Sequence, residues 1–240
     1  FNMNDFTSQE IVKLIWAYAT VGYKPKDSTQ LYDLLSEKAI ENLDMFNSQN
    51  IANTVWAYAK LGYSAPNLFD AISNEIIQEI DNFNSQSIAI TLWSYAKVGH
   101  PAPQLFDAMS HKAIQELDTF NFQEITNTIW AYAKVKHSSC PELFDAIAEK
   151  VIEKIDNNTI LNSQNIANIV WAYATIGHSS PKLFDVFSQK AMEKIDTFHS
   201  QGMGNTVWAY AKLGHASPDL FDAISQKAIE KLDTFKSQNI

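Results

Sequence analysis

The apolar positions along the chain fall into two alternating helical patterns, one of about fourteen residues and one of about sixteen. In the shorter pattern, apolar side chains stand five and one residues before a tryptophan, tyrosine stands two residues after it, and alanine three after it. At 100° per residue these positions cover one wide arc, which is typical of a helix with a buried face. The pattern predicts a helix A, with its tryptophan and tyrosine in the core, followed by a helix B.

These two patterns occur six times, and one tryptophan marks each copy. The spacings lie between 37 and 41 residues, with the tryptophans at Trp16, Trp56, Trp93, Trp130, Trp171 and Trp208. A Leu-Phe-Asp or Leu-Tyr-Asp motif follows each of them, and another aspartate recurs eleven positions after that motif. Neither helix can bury its apolar face alone, so consecutive copies must stack. The predicted fold is all-α, an α-solenoid of about six 37-residue helix-hairpin repeats.

The predicted bounds of the repeats rest on residues that begin and end helices. The expected caps of helix A are the serines before its apolar run, Ser48, Ser85, Ser163 and Ser200. Helix A is expected to end at a left-handed glycine, Gly62, Gly99, Gly177 or Gly214. Helix B is expected to begin at a proline, Pro66, Pro103, Pro141, Pro181 or Pro218, and to run to the recurrent aspartate. The single array over 1–240 then has repeats at 8–44, 48–81, 85–118, 122–156, 163–196 and 200–233, with 235–240 starting a seventh.

Three columns of positions, counted from the tryptophan of each repeat, fall on the arc of helix A that stacking is expected to leave exposed. The −6 column contains Glu10, Asn50, Ser87, Glu124, Asn165 and Gly202. The −3 column contains Lys13, Asn53, Ile90, Asn127, Asn168 and Asn205. The +4 column contains Lys60, Lys97, Lys134 and Lys212, with Thr20 and Thr175 in the remaining repeats. Alanine at +1 is expected to keep the centre of this face open.

The chemistry of these columns suits a nucleic acid. Asparagine offers both a hydrogen-bond donor and an acceptor, as reading a base edge requires, and lysine suits phosphate. Asparagine is a poor helix former, yet it fills four of the six −3 positions. A second interpretation accounts for the same columns, because exposed positions of a solenoid vary freely and tolerate asparagine.

Charge is segregated between the two helices. The net charge is −9, and all 18 basic residues are lysines, so the bidentate phosphate contacts of arginine are absent. Helix B carries most of the acid, whereas helix A carries little beyond Glu10 and Glu124. A net acidic chain can therefore present a locally basic strip. The single cysteine, Cys140, excludes an internal disulfide framework, and no apolar run is long enough to predict membrane insertion.

The phrase Phe-Asn-Ser-Gln-x-Ile-Ala-Asn-x-x-Trp-Ala-Tyr-Ala-Lys-x-Gly, best seen at 46–62, 83–99 and 198–214, resembles the octotricopeptide repeat of organellar proteins. Related helical repeats precede the RAP domain and occur in FAST kinase-domain proteins. The resemblance implies a solenoid that binds organellar RNA at about one nucleotide per repeat and acts in transcript stability, processing or translation. It implies a mitochondrial or chloroplast location and base reading by variable positions of helix A.

The expected function is therefore non-catalytic binding of single-stranded RNA through the three columns. No cofactor or metal is expected, because the recurrent histidines occupy the place of Tyr23 and Tyr63 and are expected to pack turns; they are His100, His137, His178 and His215. The alternative is a protein–protein scaffold, or a structural subunit of an organellar ribosome or another large assembly. Its partners are then organellar ribosomal or other assembly proteins.

Overall fold

A computed structural model describes residues 6–23, 28–157 and 159–232, and every regular element in these ranges is helical. The predicted all-α fold is confirmed. Helices A are α1 Ser8–Val21, α3 Ser48–Leu61, α5 Ser85–Val98, α7 Phe122–Val135, α9 Ser163–Ile176 and α11 Ser200–Leu213. Helices B are α2 Ser28–Glu41, α4 Pro66–Gln78, α6 Pro103–Gln115, α8 Pro141–Asp156, α10 Pro181–Glu193 and α12 Pro218–Glu230. None of these helices is long and apolar enough to cross a membrane.

The chain divides into two compact units, the first ending at Thr119 and the second beginning at Phe120. In the first unit α1, α3 and α5 pack side by side, and α2, α4 and α6 form a second layer. The second unit repeats this arrangement, with α7, α9 and α11 in one layer and α8, α10 and α12 in the other. In both units the helices A contact one another far more extensively than the helices B do. That one array spans 1–240 stays a prediction, and Asp233 and the expected seventh repeat, 235–240, lie outside the described residues.

Helix A is capped one residue earlier than the sequence analysis predicts. The serines are the first helical residues, and in five repeats the side chain that accepts from the helix amides belongs to the residue before them: Thr7, Asn47, Asn84, Asn121 and Asn162. In the last repeat His199 occupies this place without a side-chain cap. Asparagine suits a cap as well as serine does. The serine is left for other contacts, and Ser163 donates to the carbonyl of Thr197, 3.0 Å away in the turn before α11.

The predicted ends of helix A are confirmed, with one substitution of residue type. Gly22, Gly62, Gly99, Gly177 and Gly214 all have φ between 65° and 81°. In the fourth repeat Lys136 takes the same left-handed conformation, with φ of 56°. A side chain beyond glycine is strained there, because its Cβ crowds the following carbonyl.

Replacing Lys136 with glycine is therefore expected to raise the free energy of unfolding by about 1 kcal/mol. Urea denaturation followed by circular dichroism measures the change. The matched control is Gly177→Lys, where a Cβ meets nothing within 4 Å, so that backbone strain alone sets the cost. Equal stability of Lys136→Gly and the parent chain contradicts the assignment of strain to this residue.

Helix B begins at proline as predicted but usually ends before the recurrent aspartate. Each of α4, α6, α8, α10 and α12 has its proline in the first turn. In four repeats the aspartate instead lies in a short 3₁₀ turn, at Leu43–Met45, Ile80–Asn82, Leu117–Thr119 and Ile195–Thr197. Only α8 runs through to its aspartate, Asp156. The prediction of a continuous helix B is wrong for those four repeats, where the chain tightens before it turns back into helix A.

Within each unit, tyrosines of helix A and histidines just after it bind helix B of the repeat before. The buried hydroxyl of Tyr95 donates to the carbonyl of Phe69 at 2.7 Å, and the Nε2 atom of His100 lies 2.9 Å from Oδ1 of Asp70. The second unit repeats this pair of contacts, with Tyr173 on Phe144 and His178 on Asp145. Burial raises the pKa of the Tyr95 and Tyr173 phenols, which therefore stay protonated donors. The prediction that these histidines pack turns is confirmed for the pairs described.

Candidate functional site

The free face of helix A is narrower than the sequence analysis predicts. Alanines at +1, expected to keep its centre open, are instead fully buried in four repeats: Ala57, Ala131, Ala172 and Ala209. They lie in the close contacts between neighbouring helices A, where a small side chain lets the helices approach. The exposed arc is therefore centred on the +4 lysines and extends toward the tryptophan.

The +4 lysines, here called the lysine column, are Lys60, Lys97, Lys134 and Lys212, and all four are exposed. Among the described residues none of them forms an ion pair. Lys212 places its Nζ atom 4.8 Å from the centroid of the Trp208 ring. By contrast, lysines of helix B pair with glutamates of their own helix: Lys38 with Glu41, Lys112 with Glu116, Lys150 with Glu153, Lys190 with Glu193 and Lys227 with Glu230. The lysine column thus carries positive charge that no carboxylate neutralises among the described residues, whereas five lysines of helix B are paired.

The −6 column lies at the third position of helix A, where it helps to cap the helix. The side chains of Glu10, Asn50, Glu124 and Asn165 accept hydrogen bonds from the backbone N–H of their own capping residue. The bonds from Thr7 lower the pKa of the Glu10 carboxyl, since they favour its charged form. Glutamate and asparagine serve this capping box, so its chemistry explains why they alternate in this column. Base reading by the −6 residues stays a prediction.

Two members of the −6 column are also buried against the neighbouring helix. Ser87 and Asn165 are each only 4% exposed. The Asn165 amide donates to the hydroxyl of Thr126 on α7, 3.2 Å away. Gly202 carries no side chain at this position, so the space beside α9 that a side chain fills elsewhere stays open.

The −3 column lies at the edge of the exposed face. Lys13 is exposed, and the other members are half-buried: Asn53, Ile90, Asn127, Asn168 and Asn205. Asn127 accepts a hydrogen bond from the side chain of Gln123, one turn earlier, at 2.9 Å. The column is thus partly accessible from solvent, and its role in binding stays a prediction.

The tryptophans are not core residues, so that part of the prediction is wrong. Trp16 is 46% exposed and Trp208 43%, and the other four are half-buried. The tyrosines two positions later are fully buried in five repeats, as predicted. Part of each indole ring therefore faces solvent, and in the last repeat Lys212 lies over the ring of Trp208.

A fourth column, seven residues before the tryptophan, was missed by reasoning from the sequence. It contains glutamine in every repeat, at Gln9, Gln49, Gln86, Gln123, Gln164 and Gln201, and all six are exposed. Positions −7, −3, 0 and +4 lie on one line along a helix, so this glutamine column continues the face formed by the other residues. The available signal was one residue type in six copies at a position with no periodic apolar role.

In the second unit these positions meet in a cleft between α9 and α11. The cleft has a volume of about 260 Å³ and is lined by the side chains of Gln164, Asn168, Gln201 and Asn205, with Gly202 at its wall. Four of its lining residues carry a side-chain amide, which has both a donor and an acceptor, and Ser163 and His199 also line it. It brings together three predicted residues, Asn168, Gly202 and Asn205, with the two glutamines.

One family model matches this chain twice. The family is described as RNA-editing substrate-binding complex 6 protein, and the matches cover residues 1–117 and 108–240. No curated protein matches the chain.

Proposed function

The chain belongs to the family of RNA-editing substrate-binding complex 6 proteins, and from this premise we propose that it is a non-catalytic subunit that binds single-stranded RNA. The observation that carries the proposal is the lysine column, whose charges lack ion-pair partners among the described residues. Together the six helices A carry five lysines and two glutamates, although the chain as a whole has a net charge of −9. The helices A of the first unit carry three of these lysines and those of the second carry two, and a local positive strip on either unit attracts phosphates despite the net negative charge.

The arrangement of the columns supports contacts between different columns and different chemical groups of the RNA. The lysine column contacts phosphates, and the half-buried −3 residues meet the edges of bases. Neighbouring helices A lie about 10 Å apart, which allows about one nucleotide per repeat when the strand crosses the helices. This mode, which the octotricopeptide resemblance implies, is part of the proposal.

The family name also guides the proposed setting. Its members are described as belonging to a complex that binds substrates of RNA editing. We therefore place this chain in such a complex, and in the mitochondrion rather than the chloroplast. The proposed process is RNA editing, in place of the broader set of roles in transcript stability, processing or translation that the octotricopeptide resemblance implies.

A second role, as a protein-binding subunit of the same assembly, is favoured by the surface of helix B. The six helices B carry 16 acidic residues and seven lysines, so even with several lysines paired to glutamates this surface is net acidic. Surfaces of this kind suit contacts with other proteins more than contacts with phosphates. The two roles are compatible, because they use opposite layers of each repeat.

The test is the affinity of the chain for a short, random-sequence, fluorescein-labelled RNA strand, measured by anisotropy over a salt series from about 50 to 200 mM. We expect log Kd to rise linearly with log salt concentration, because phosphate contacts release counterions. Failure to bind at the lowest salt concentration, or an affinity that does not change with salt, overturns the proposal.

A further inference from the structure

The glutamine column is constant although nothing in the fold requires glutamine there. Each glutamine is the second residue of helix A and is exposed. In four repeats the cap side chain accepts from the backbone N–H at −6 and the −6 side chain accepts from the backbone N–H of the cap, so these bonds do not involve the glutamine. A carboxylate at the second position would also suit the helix dipole better than a neutral amide. Helix stability therefore does not account for six glutamines in six repeats.

The side chains of this column are available to a ligand. Within the described ranges only Gln123 has a side-chain hydrogen bond, to Asn127, and that bond leaves the carbonyl oxygen of Gln123 without a partner. Gln164 and Gln201 line the cleft between α9 and α11 beside Asn168 and Asn205. A ligand that reaches the −3 amides in this cleft therefore also meets the glutamines.

A residue that is the same in every repeat suits a ligand group that is the same in every unit of a polymer. The −3 column varies, with lysine, isoleucine and asparagine, and so suits the bases, which differ. The glutamine column does not vary, and in a nucleic acid the constant groups are phosphate and ribose. Phosphate is served by the lysine column, whereas a neutral amide matches the 2′-hydroxyl, which both donates and accepts.

We propose that the glutamine column binds the ribose 2′-hydroxyls of the RNA strand, so that it selects RNA over DNA without reading sequence. This inference rests on the proposed RNA-binding function. It assigns separate parts of the strand to three columns: phosphates to the lysines, ribose to the glutamines and bases to the −3 residues. Selectivity for RNA then depends on neutral side chains and is independent of salt.

The test replaces Gln86, Gln164 and Gln201 together with methionine, which has a similar shape and helix propensity but makes no strong hydrogen bond. We expect the affinity for RNA to fall roughly 3-fold or more per glutamine, toward the affinity for DNA of the same sequence. The affinity for DNA and the salt dependence should stay unchanged, because no charge is removed. The matched control carries methionine at three exposed glutamines of helix B, Gln78, Gln115 and Gln189.

The outcomes separate this inference from the proposed function. Salt-dependent RNA binding by the parent chain, with the same RNA-to-DNA affinity ratio in the triple variant, overturns the inference and leaves the RNA-binding proposal standing. A parent chain that binds RNA and DNA equally also overturns it. A parent chain that binds neither strand overturns both. Thermal unfolding of the variants confirms that they fold.

Discussion

Replacing Tyr173 with alanine is expected to lower the free energy of unfolding by about 3–5 kcal/mol. Its side chain is fully buried, and its hydroxyl donates to the carbonyl of Phe144 on helix B of the preceding repeat at 2.6 Å. Its ring also meets that of Phe144 edge to face, with centroids 5.2 Å apart. Truncation thus leaves a cavity where two repeats join and removes a contact that fixes their positions. Urea denaturation followed by circular dichroism measures the loss.

Two further variants separate the contributions of packing and hydrogen bonding. Tyr173→Phe keeps the ring and removes only the hydroxyl, so we expect a loss of about 1 kcal/mol. Trp171→Ala removes a larger but only half-buried side chain of the same helix. If Trp171→Ala destabilises the chain more than Tyr173→Ala does, the assignment of tyrosine to the core and tryptophan to the surface is contradicted.

The contrast between buried tyrosine and partly exposed tryptophan shows how much of the fold can be predicted from the sequence. Six copies of one helical pattern predict the hairpins, since glycine and proline act through local backbone geometry that neighbours scarcely change. The tryptophan differs, because its exposure depends on how closely the next helix A approaches. A helical wheel treats each helix alone, so it places every apolar side chain in the core and cannot show that Trp208 stays 43% exposed.

The same limit explains why the +1 alanines are wrongly predicted to be exposed. The +1 alanines lie on the arc that the wheel leaves free, but they are buried since a second neighbouring helix covers that side. The −6 residues vary and are polar, which resembles a specificity column, yet four of them accept a capping hydrogen bond. Variation of residue type along a column therefore does not distinguish helix capping from base reading. Exposure of the lysine column was predicted correctly, since all four of its residues are exposed.

The glutamine column shows the opposite case, in which the needed signal was in the sequence. Variable positions are natural candidates for base reading, whereas a constant polar position is easily passed over. Core positions of a repeat array also hold the same residue type in every copy. A constant position therefore indicates ligand binding only where its side chain is known to be exposed. The structure supplies that exposure for Gln9 through Gln201, and identity across six repeats then indicates a common ligand group.

Replacing all four residues of the lysine column with glutamine is expected to weaken RNA binding on the order of 100-fold and to flatten its salt dependence. The slope of log Kd against log salt should fall by about 0.7 for each lysine that contacts a phosphate. Anisotropy titrations of the same labelled RNA measure both quantities. The effect exceeds that of the glutamine variants because each lysine carries a full charge that lacks an ion-pair partner among the residues the structure describes.

The matched control replaces four paired lysines of helix B with glutamine, at Lys112, Lys150, Lys190 and Lys227. Both variants have the same net charge, so long-range repulsion of RNA is equal in the two. The control loses ion pairs on helix B, including a second pair of Lys227 with Asp196, and pairs within a helix contribute about 0.2–0.5 kcal/mol each, so it should fold and bind RNA nearly as the parent does. Equal weakening in the two variants means that binding follows net charge alone, which contradicts a phosphate-binding surface on helix A. A selective loss in the lysine column variant, with its lower salt slope, places the phosphates on that face.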